Sequence, residues 1–436
     1  MTGHSSLLTS AIFGHSGLKS RFEDDALIAA MVQVEVTLAR VQAELGLIPV
    51  EAAQAIADLP KAHAVSSSAL VAGVADAGVP VPALVASLRQ SLSEDAADWL
   101  HFGATSQDII DTALCLCYQA ALQDLEAGLA TVIDTLESLS RAHAETLMIG
   151  RTRGQLATPI TFGLRAAQWA QPLISRELDL PGLRESALRV QLGGAAGSQM
   201  VLGEMGPEVS RLLAEQLGLA AASPWHTDRS GIRKLAQWLS DMIMSMAKIG
   251  ADVALMARGE IAEVSLANGG GSSTMPHKSN PVIAEALQSL TAVAAATNAG
   301  LASAAVHTEE RDGANWPVEW ALMPPLFEAA GAAISHAQKL LGGLEVRADA
   351  MAARLAATPE VKAEAAVFAL ARRVGRSEAS RLVTIALASD QPLRQALPEI
   401  PDLSWDEALS DRAFCAPAAV VAAEIFAKRQ PSSDHD

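Results

Sequence analysis

The sequence predicts an all-α protein, a central bundle of long helices carried between two smaller helical domains. Three observations support this. Half of the 436 residues are hydrophobic but only 4% are aromatic, with alanine and leucine dominant, a mixture that suits close-packed helices better than a sheet. Tyr118, Leu122, Leu125, Leu129, Val132, Leu136 and Leu139 follow one another at alternating steps of four and three, the stripe of a long helix facing a neighbour. No alternating strand pattern of useful length competes with such segments.

Taken in order, helical runs at residues 25–45, 51–56 and 83–92 are broken by Pro49, Pro60, Pro80 and Pro82. They mark a small first domain over residues 1–108. The stripe places one helix over residues 108–148, and thirty residues of it would make a rod of roughly 45 Å. Residues 159–177, interrupted by Pro172, are the next candidate, followed by 230–264, 282–307 and 318–341. Helices this long satisfy their apolar stripes only against each other, so residues 109–343 read as the central bundle. After Gly342 and Gly343 the runs shorten again, to 362–373 and 377–388 with a loop over 392–401. These form a third domain over residues 344–436, whose last six residues are expected to be disordered.

Net charge is −17, from 32 basic and 49 acidic residues. Such a chain repels nucleic acid and anionic membrane, so neither is expected as a partner. An anionic ligand would need positive charge gathered locally. The sparse, odd set Cys115, Cys117 and Cys415 suits a reducing compartment. Cys115 and Cys117, two apart on a helix, point to different faces and make a poor disulfide or metal pair; the bundle interior is their expected place. The opening MTGHSSLLTSAIFGH lacks a basic region and an apolar core, so no signal peptide is expected. Residues 286–308 carry no charge and could span a bilayer, but their Ala, Ser, Thr and Asn content reads as a helix buried in a bundle. A soluble, cytoplasmic protein is the expectation.

Three polar stretches interrupt the helical pattern: HFGATSQD (101–108), GRTRGQLATP (150–159) and GGGSSTMPHKSNP (269–281). Each is placed next to the start of a long helix, where free N–H donors and the dipole favour small anions. In the third, Asn280 and Pro281 read as N-cap and N1, which leaves residues 269–279 as loop. Its glycines permit close backbone approach, and Ser272 and Ser273 are hydroxyls with Lys278 nearby to ease negative charge. A flexible linker is the plainer alternative, but it leaves the Met275–Lys278 stretch before a helix unexplained. A phosphate-binding P-loop is excluded, because His277 stands where glycine should precede the lysine and the preceding segment is helical.

The run GSSTMPHKSNP closely resembles the signature loop of the fumarase/aspartase superfamily, which includes fumarase, aspartase, argininosuccinate lyase and adenylosuccinate lyase. The other two stretches match that superfamily's remaining active-site regions in order, with GGAAG (193–197) and the ERD of Glu310, Arg311 and Asp312 as further support. The resemblance implies a three-domain, all-helical fold. It also implies a homotetramer around central helices, with each active site shared by three subunits. Ser272 would exchange a proton with carbon beside a carboxylate. Lys278 and Asn280 would hold that carboxylate, helped by Thr105, Ser106 and Gln107, with Thr152 from the second stretch. No metal or organic cofactor is implied.

Departures narrow the reading. Arg153 stands where adenylosuccinate lyase and fumarase carry a histidine, and arginine cannot deliver a proton near neutral pH but can bind a carboxylate. ERDGANWPVEW puts Trp316, Pro317 and Trp320 where a nucleotide-binding arginine run would lie, and VPVPALV (79–85) replaces a histidine–aspartate pair. With PWHTDR (224–229), these features resemble the carboxymuconate-cycloisomerase branch of the superfamily. That branch closes a tricarboxylate diene to a lactone by internal carboxylate addition, in aromatic-compound catabolism. The substrate's three charges would be offset by Lys278, Arg153 and Arg151, with His101 and Arg311 as further contacts. Arg311 could instead form a salt bridge, His101 could be a cap or packing residue, and Trp316 and Trp320, on one helix face, could be core. The alternatives are another lyase of the superfamily that releases fumarate, a catalytically silent structural homologue, and a serine hydrolase using Ser272 and Lys278.

Overall fold

The computed structural model describes residues 6–62, 65–271, 274–275 and 278–429. Helices carry most of it, as expected. The chain folds as two compact units. The first comprises the described residues within Met1–Gly128, Asp179–Ile243 and Ser289–Ile334; the second those within Leu129–Leu178, Met244–Gln288 and Ser335–Asp436. Four of the five boundaries fall inside long helices, Ser106–Ala142, Ser230–Met256, Val282–Ala304 and Trp316–Gly342, and the fifth follows Leu178 at a helix end.

The stripe read from the sequence is the buried face of the first of these. Tyr118, Leu122, Leu125, Leu129, Val132 and Leu136 are all 0–1% exposed, and each such leucine withdrawn from water contributes roughly 1.5–3 kcal/mol. In the first unit the scarce aromatics are gathered rather than scattered. Tyr118 stacks on Phe327 with ring centroids 5.5 Å apart, and Phe22 tilts against both. The helix Asp24–Glu44 is long and apolar enough to cross a membrane, but 67% of its most apolar window is buried inside the protein, so it serves as a core helix. Val282–Ala304 buries Ile283, Ala284, Leu287, Leu290, Ala294 and Leu301, the interior spacing expected of it.

Several sequence-based bounds shift. The helix expected over 108–148 ends at Ala142, and an antiparallel hairpin of Leu147–Thr152 and Gln155–Thr161 follows. This strand pair was hidden because Gly150 and Pro159 break its alternation and the register shifts between Ile149 and Arg151. The next helix therefore starts at Phe162 rather than 159 and runs through Pro172 to Leu178. Gly163 is what lets its first turn dock on the end of Ser106–Ala142. A Cβ there would lie 2.5 Å from the Ser140 carbonyl oxygen, whereas the glycine N–H donates to His143 at 3.0 Å and its carbonyl accepts from Ser140 Oγ at 2.8 Å. The segment expected as helix over 230–264 stops at Met256, and Val264–Leu266 pairs with Leu344–Val346. Helix Trp316–Gly342 continues through Pro324 and Pro325. In the second unit, helices Ala363–Val374 and Arg376–Leu387 enclose a local core with Leu393, Leu397, Trp405 and Leu409. The tail over 431–436 lies outside the described residues.

Candidate active site

In the first unit, one carboxylate ties the HFGATSQD stretch to GGAAG and PWHTDR. Asp108 Oδ1 accepts from Gln191 Nε2 (3.0 Å) and the Gly193 N–H (2.8 Å), and lies 3.0 Å from His226 Nε2. Its Oδ2 accepts from the N–H groups of Gly194 (2.9 Å) and Thr105 (3.0 Å). The contact to Thr105, three residues earlier, is half of a capping box at the start of Ser106–Ala142. The glycines are required: a Cβ on Gly193 would lie 2.8 Å from His226 Cε1, and Gly194 has φ +67°. Asp108 therefore fixes the backbone of HFGATSQD against GGAAG and PWHTDR.

One helical turn on, Asp111 lies in a buried ion network. Arg229 Nη1 donates to Asp111 Oδ2 at 2.8 Å, and its Nε and Nη2 donate to Glu319 at 2.9 and 2.5 Å. All three side chains are 1–3% exposed. Two carboxylates hold the guanidinium charged despite its burial, and the ring of Trp225 lies 4.7 Å away. Asp111 also accepts from Trp316 Nε1 at 2.9 Å and Gln107 Nε2 at 3.2 Å. Trp316 is thus core; Trp320 packs edge-on against it at 4.7 Å, and its buried Nε1 has no hydrogen-bond partner.

The expected site residues of this unit separate into committed and available groups. Gln107 is fully buried, donates to Asp111 and the His226 carbonyl, and leaves Oε1 unpartnered. Thr105 and Ser106 are half-buried at the helix start. Arg311 makes no salt bridge among the described residues. Its Nη2 donates to Thr105 Oγ1 at 2.9 Å and to the Ala195 carbonyl at 3.1 Å, and its buried Nε has no partner. The neighbouring Asp312 accepts from Thr308, Ala314 and Asn315, and these N–H and O–H donors, Asn315 foremost, hold its carboxyl far below the usual range. His101 is no simple cap: its Nδ1 lies 2.6 Å from the buried Glu35 carboxylate. Near the ion network His307 is half-buried, with its pKa lowered by burial and then by Arg229.

In the second unit, Arg151 is held bidentately by Glu263, at 2.9 and 2.7 Å, and that carboxylate is fully buried. The guanidinium charge is therefore balanced inside the protein. Thr152 and Arg153 lie exposed at the hairpin tip, Arg153 with φ +51°. The GRTRGQLATP stretch thus forms the tip and strands of a hairpin, and the helix Phe162–Leu178 begins only three residues beyond it. A cavity of about 360 Å³ beside the hairpin is lined by Arg151, Arg165, Lys248 and Asp252. A larger one, about 740 Å³, lies around Ala352, Leu355, Leu393 and Trp405 and contains none of the expected residues.

The third stretch is less open than a linker. Gly270 pairs with Asn280 and Gly271 with Ser279 in a short antiparallel ladder, so the loop is closed at its neck. Asn280 is thus a strand residue, and the helix cap falls one residue later, where the Pro281 carbonyl accepts from Glu285. Lys278 is exposed, its backbone N–H donating to Met275 at 2.9 Å. Ser272, Ser273 and His277 lie outside the described residues. Sequence reasoning missed Glu35, Glu263, Arg229 and Glu319. Arg229 and Glu319 lay within the quoted PWHTDR and ERDGANWPVEW motifs without being singled out, and Glu35 stood as a lone acid within the apolar run VQVEVTLA.

The buried cysteines behave as expected. Cys115 Sγ faces the Ala187 carbonyl, and burial pushes the Cys115 and Cys117 thiols up to about 12 and about 11.

A sequence-family profile described as Lyase matches residues 8–295. A 3-carboxy-cis,cis-muconate cycloisomerase of Bradyrhizobium diazoefficiens is 36% identical over 89% of this chain and 89% of its own. A nitrosuccinate lyase of Streptomyces davaonensis is 35% identical over 87% of this chain and 83% of its own. The crystal structure of the 3-carboxy-cis,cis-muconate lactonizing enzyme from Pseudomonas putida superposes with a TM-score of 0.85 at 33% identity, covering 98% of this chain and 99% of that one. With its helical fold, its three ordered polar stretches and these relatives, the chain belongs to the fumarase/aspartase superfamily of lyases.

Proposed function

We propose that this enzyme closes 3-carboxy-cis,cis-muconate to 4-carboxymuconolactone. The observation that carries the reading is near full-length similarity, in sequence and fold, to proteins named for this reaction. Trp320, packed against Trp316 of the buried network and standing where adenylosuccinate lyase carries an arginine, supports the same choice. In the reaction one substrate carboxylate oxygen forms the ring C–O bond. The displaced π pair settles on carbon beside a second carboxylate, and that carbon takes one proton. Ser272 is the proposed proton donor, with Lys278, Asn280, Thr105, Ser106, Thr152, Arg153 and Arg311 as carboxylate contacts. Their task is to stabilise charge that develops only in the transition state. Gln107 and Asp108 hold the HFGATSQD stretch in place, and Arg151 is held by Glu263 behind its hairpin. A homotetramer with shared active sites, working in the cytoplasm, completes the proposal; the sparse cysteines, two of them deeply buried, support a reducing compartment.

The test is loss of the ultraviolet absorbance of the conjugated diene when 3-carboxymuconate is mixed with the enzyme. A second reading, elimination from a substituted succinate, is favoured by the similarity to a nitrosuccinate lyase. It predicts fumarate formation instead, and fumarate released from such a substrate with no change in diene absorbance would overturn the first reading.

A further inference from the structure

His101 sits on backbone in the left-handed region, φ +67°, which histidine adopts more readily than most non-glycine residues. Its ring is fixed by Glu35. The His101 Nδ1 is 2.6 Å from Glu35 Oε1, and the Glu35 side chain is 1% exposed in the helix Asp24–Glu44. The other carboxylate oxygen, Oε2, is buried with no hydrogen-bond partner. A buried carboxylate with one partner is costly unless that partner is a cation. The His101 side chain is 19% exposed, and its Nε2 has no partner among the described residues. The remaining N–H of an imidazolium at that position is therefore free to donate outward, in the same stretch as Thr105 and Ser106.

We propose that Glu35 is a positioning residue that locks His101 as an imidazolium whose Nε2–H donates to a substrate carboxylate. This rests on the reading that the HFGATSQD stretch binds a polycarboxylate. It also answers the charge problem of an acidic chain by adding a histidine cation to the one that Arg311 brings to Thr105. The charged groups facing the ring are Glu35, Asp108 and Arg89. Arg89 is committed to the carbonyls of Ala97 and Leu100. Burial draws the imidazole pKa down, but Glu35 and then Asp108 outweigh it, and the net shift is upward. The cation is therefore fully present below the ordinary histidine range and is lost only as pH rises through the raised value.

The experiment compares the full-length enzyme with Glu35→Gln, which keeps the shape and hydrogen bond but removes the charge. The readouts are kcat and KM for 3-carboxymuconate from pH 5.5 to 9, with calorimetric binding of the inert tricarboxylate citrate as a measure free of turnover. The alkaline limb of kcat/KM should move about one unit to lower pH, with about a tenfold rise in KM and in the citrate Kd at pH 8 and little change at pH 5.5. In a His101→Gln background, Glu35→Gln should add nothing. Equal loss at every pH, or an unshifted limb, would overturn the proposal while leaving the site reading intact. If His101→Gln itself leaves KM and citrate binding unchanged, the carboxylate-binding reading of the stretch falls, and this proposal with it.

Discussion

Replacing Arg229 by methionine tests the buried network directly. The guanidinium bridges Asp111 and Glu319, each within 3.3 Å. Charge pairs near 4 Å are worth about 4 kcal/mol each at an effective dielectric of about 20. Removal of the arginine also returns its own desolvation penalty, several kcal/mol, so the net loss should be about 3–5 kcal/mol. Asp111 keeps its bonds from Trp316 and Gln107, and Glu319 becomes the stranded charge. Burial already raises the Glu319 carboxyl above its usual range against the pull of Arg229, and without the arginine it rises further. A carboxyl with a raised folded-state pKa contributes stability that is full below its unfolded value and is lost as pH rises through the folded value. The deficit of Arg229→Met should therefore be largest at neutral pH and shrink toward pH 5. The assay is urea denaturation at both pH values, read as the change in midpoint at unchanged slope. Adding Glu319→Gln should recover most of the loss. A deficit under roughly 1 kcal/mol, or one that does not change with pH, would refute the argument.

Three further outcomes are expected. Ser272→Ala should lower kcat by about 10²-fold or more with KM little changed, the magnitude of a lost proton donor; steady-state kinetics at full rate would remove the serine from the mechanism. Gly193→Ala forces a methyl to 2.8 Å from His226 Cε1 and 3.0 Å from Gly197 Cα, so it should cost about 1–3 kcal/mol in urea unfolding and weaken activity by disturbing the Asp108 anchor. A thiol reagent at pH 8 should modify one cysteine per folded chain, the half-buried Cys415. Cys115 and Cys117, with thiols pushed up to about 12 and about 11 by burial, should react only after unfolding.

The helices were legible because their apolar stripes are long. From Tyr118 to Leu136 every predicted contact residue is buried, and no short-range signal could outweigh seven matches in phase. The hairpin at 147–161 was not legible, since its pairing depends on a bulge beside Gly150 and on tertiary packing rather than on alternation. The three polar stretches stood out as candidate sites from residue type alone. The availability of their side chains was not. Arg151 and Gln107 look like ligands in sequence, and only the partners Glu263 and Asp111, 112 and 4 residues away, show them to be committed. Arg311 looked as ready for a salt bridge as for a ligand, and its actual partners, a hydroxyl and a carbonyl 206 and 116 residues distant, leave its charge uncompensated.

This division has a physical logic for an acidic protein acting on an anion. A surplus of carboxylates would ordinarily neutralise every nearby cation and repel the substrate. Within each unit the acids beside the polar stretches are withdrawn into the interior and occupied: Asp108 by backbone donors, Asp111 and Glu319 by Arg229, Glu263 by Arg151, Asp312 by its own loop. A carboxylate saturated with donors contributes less repulsion to its surroundings than a free one. Arg311, beside Thr105, and Arg153, at the hairpin tip, make no salt bridge among the described residues, and Lys278 on the third stretch is exposed. A polycarboxylate would meet fixed donors there, because the protein's own acids already have theirs.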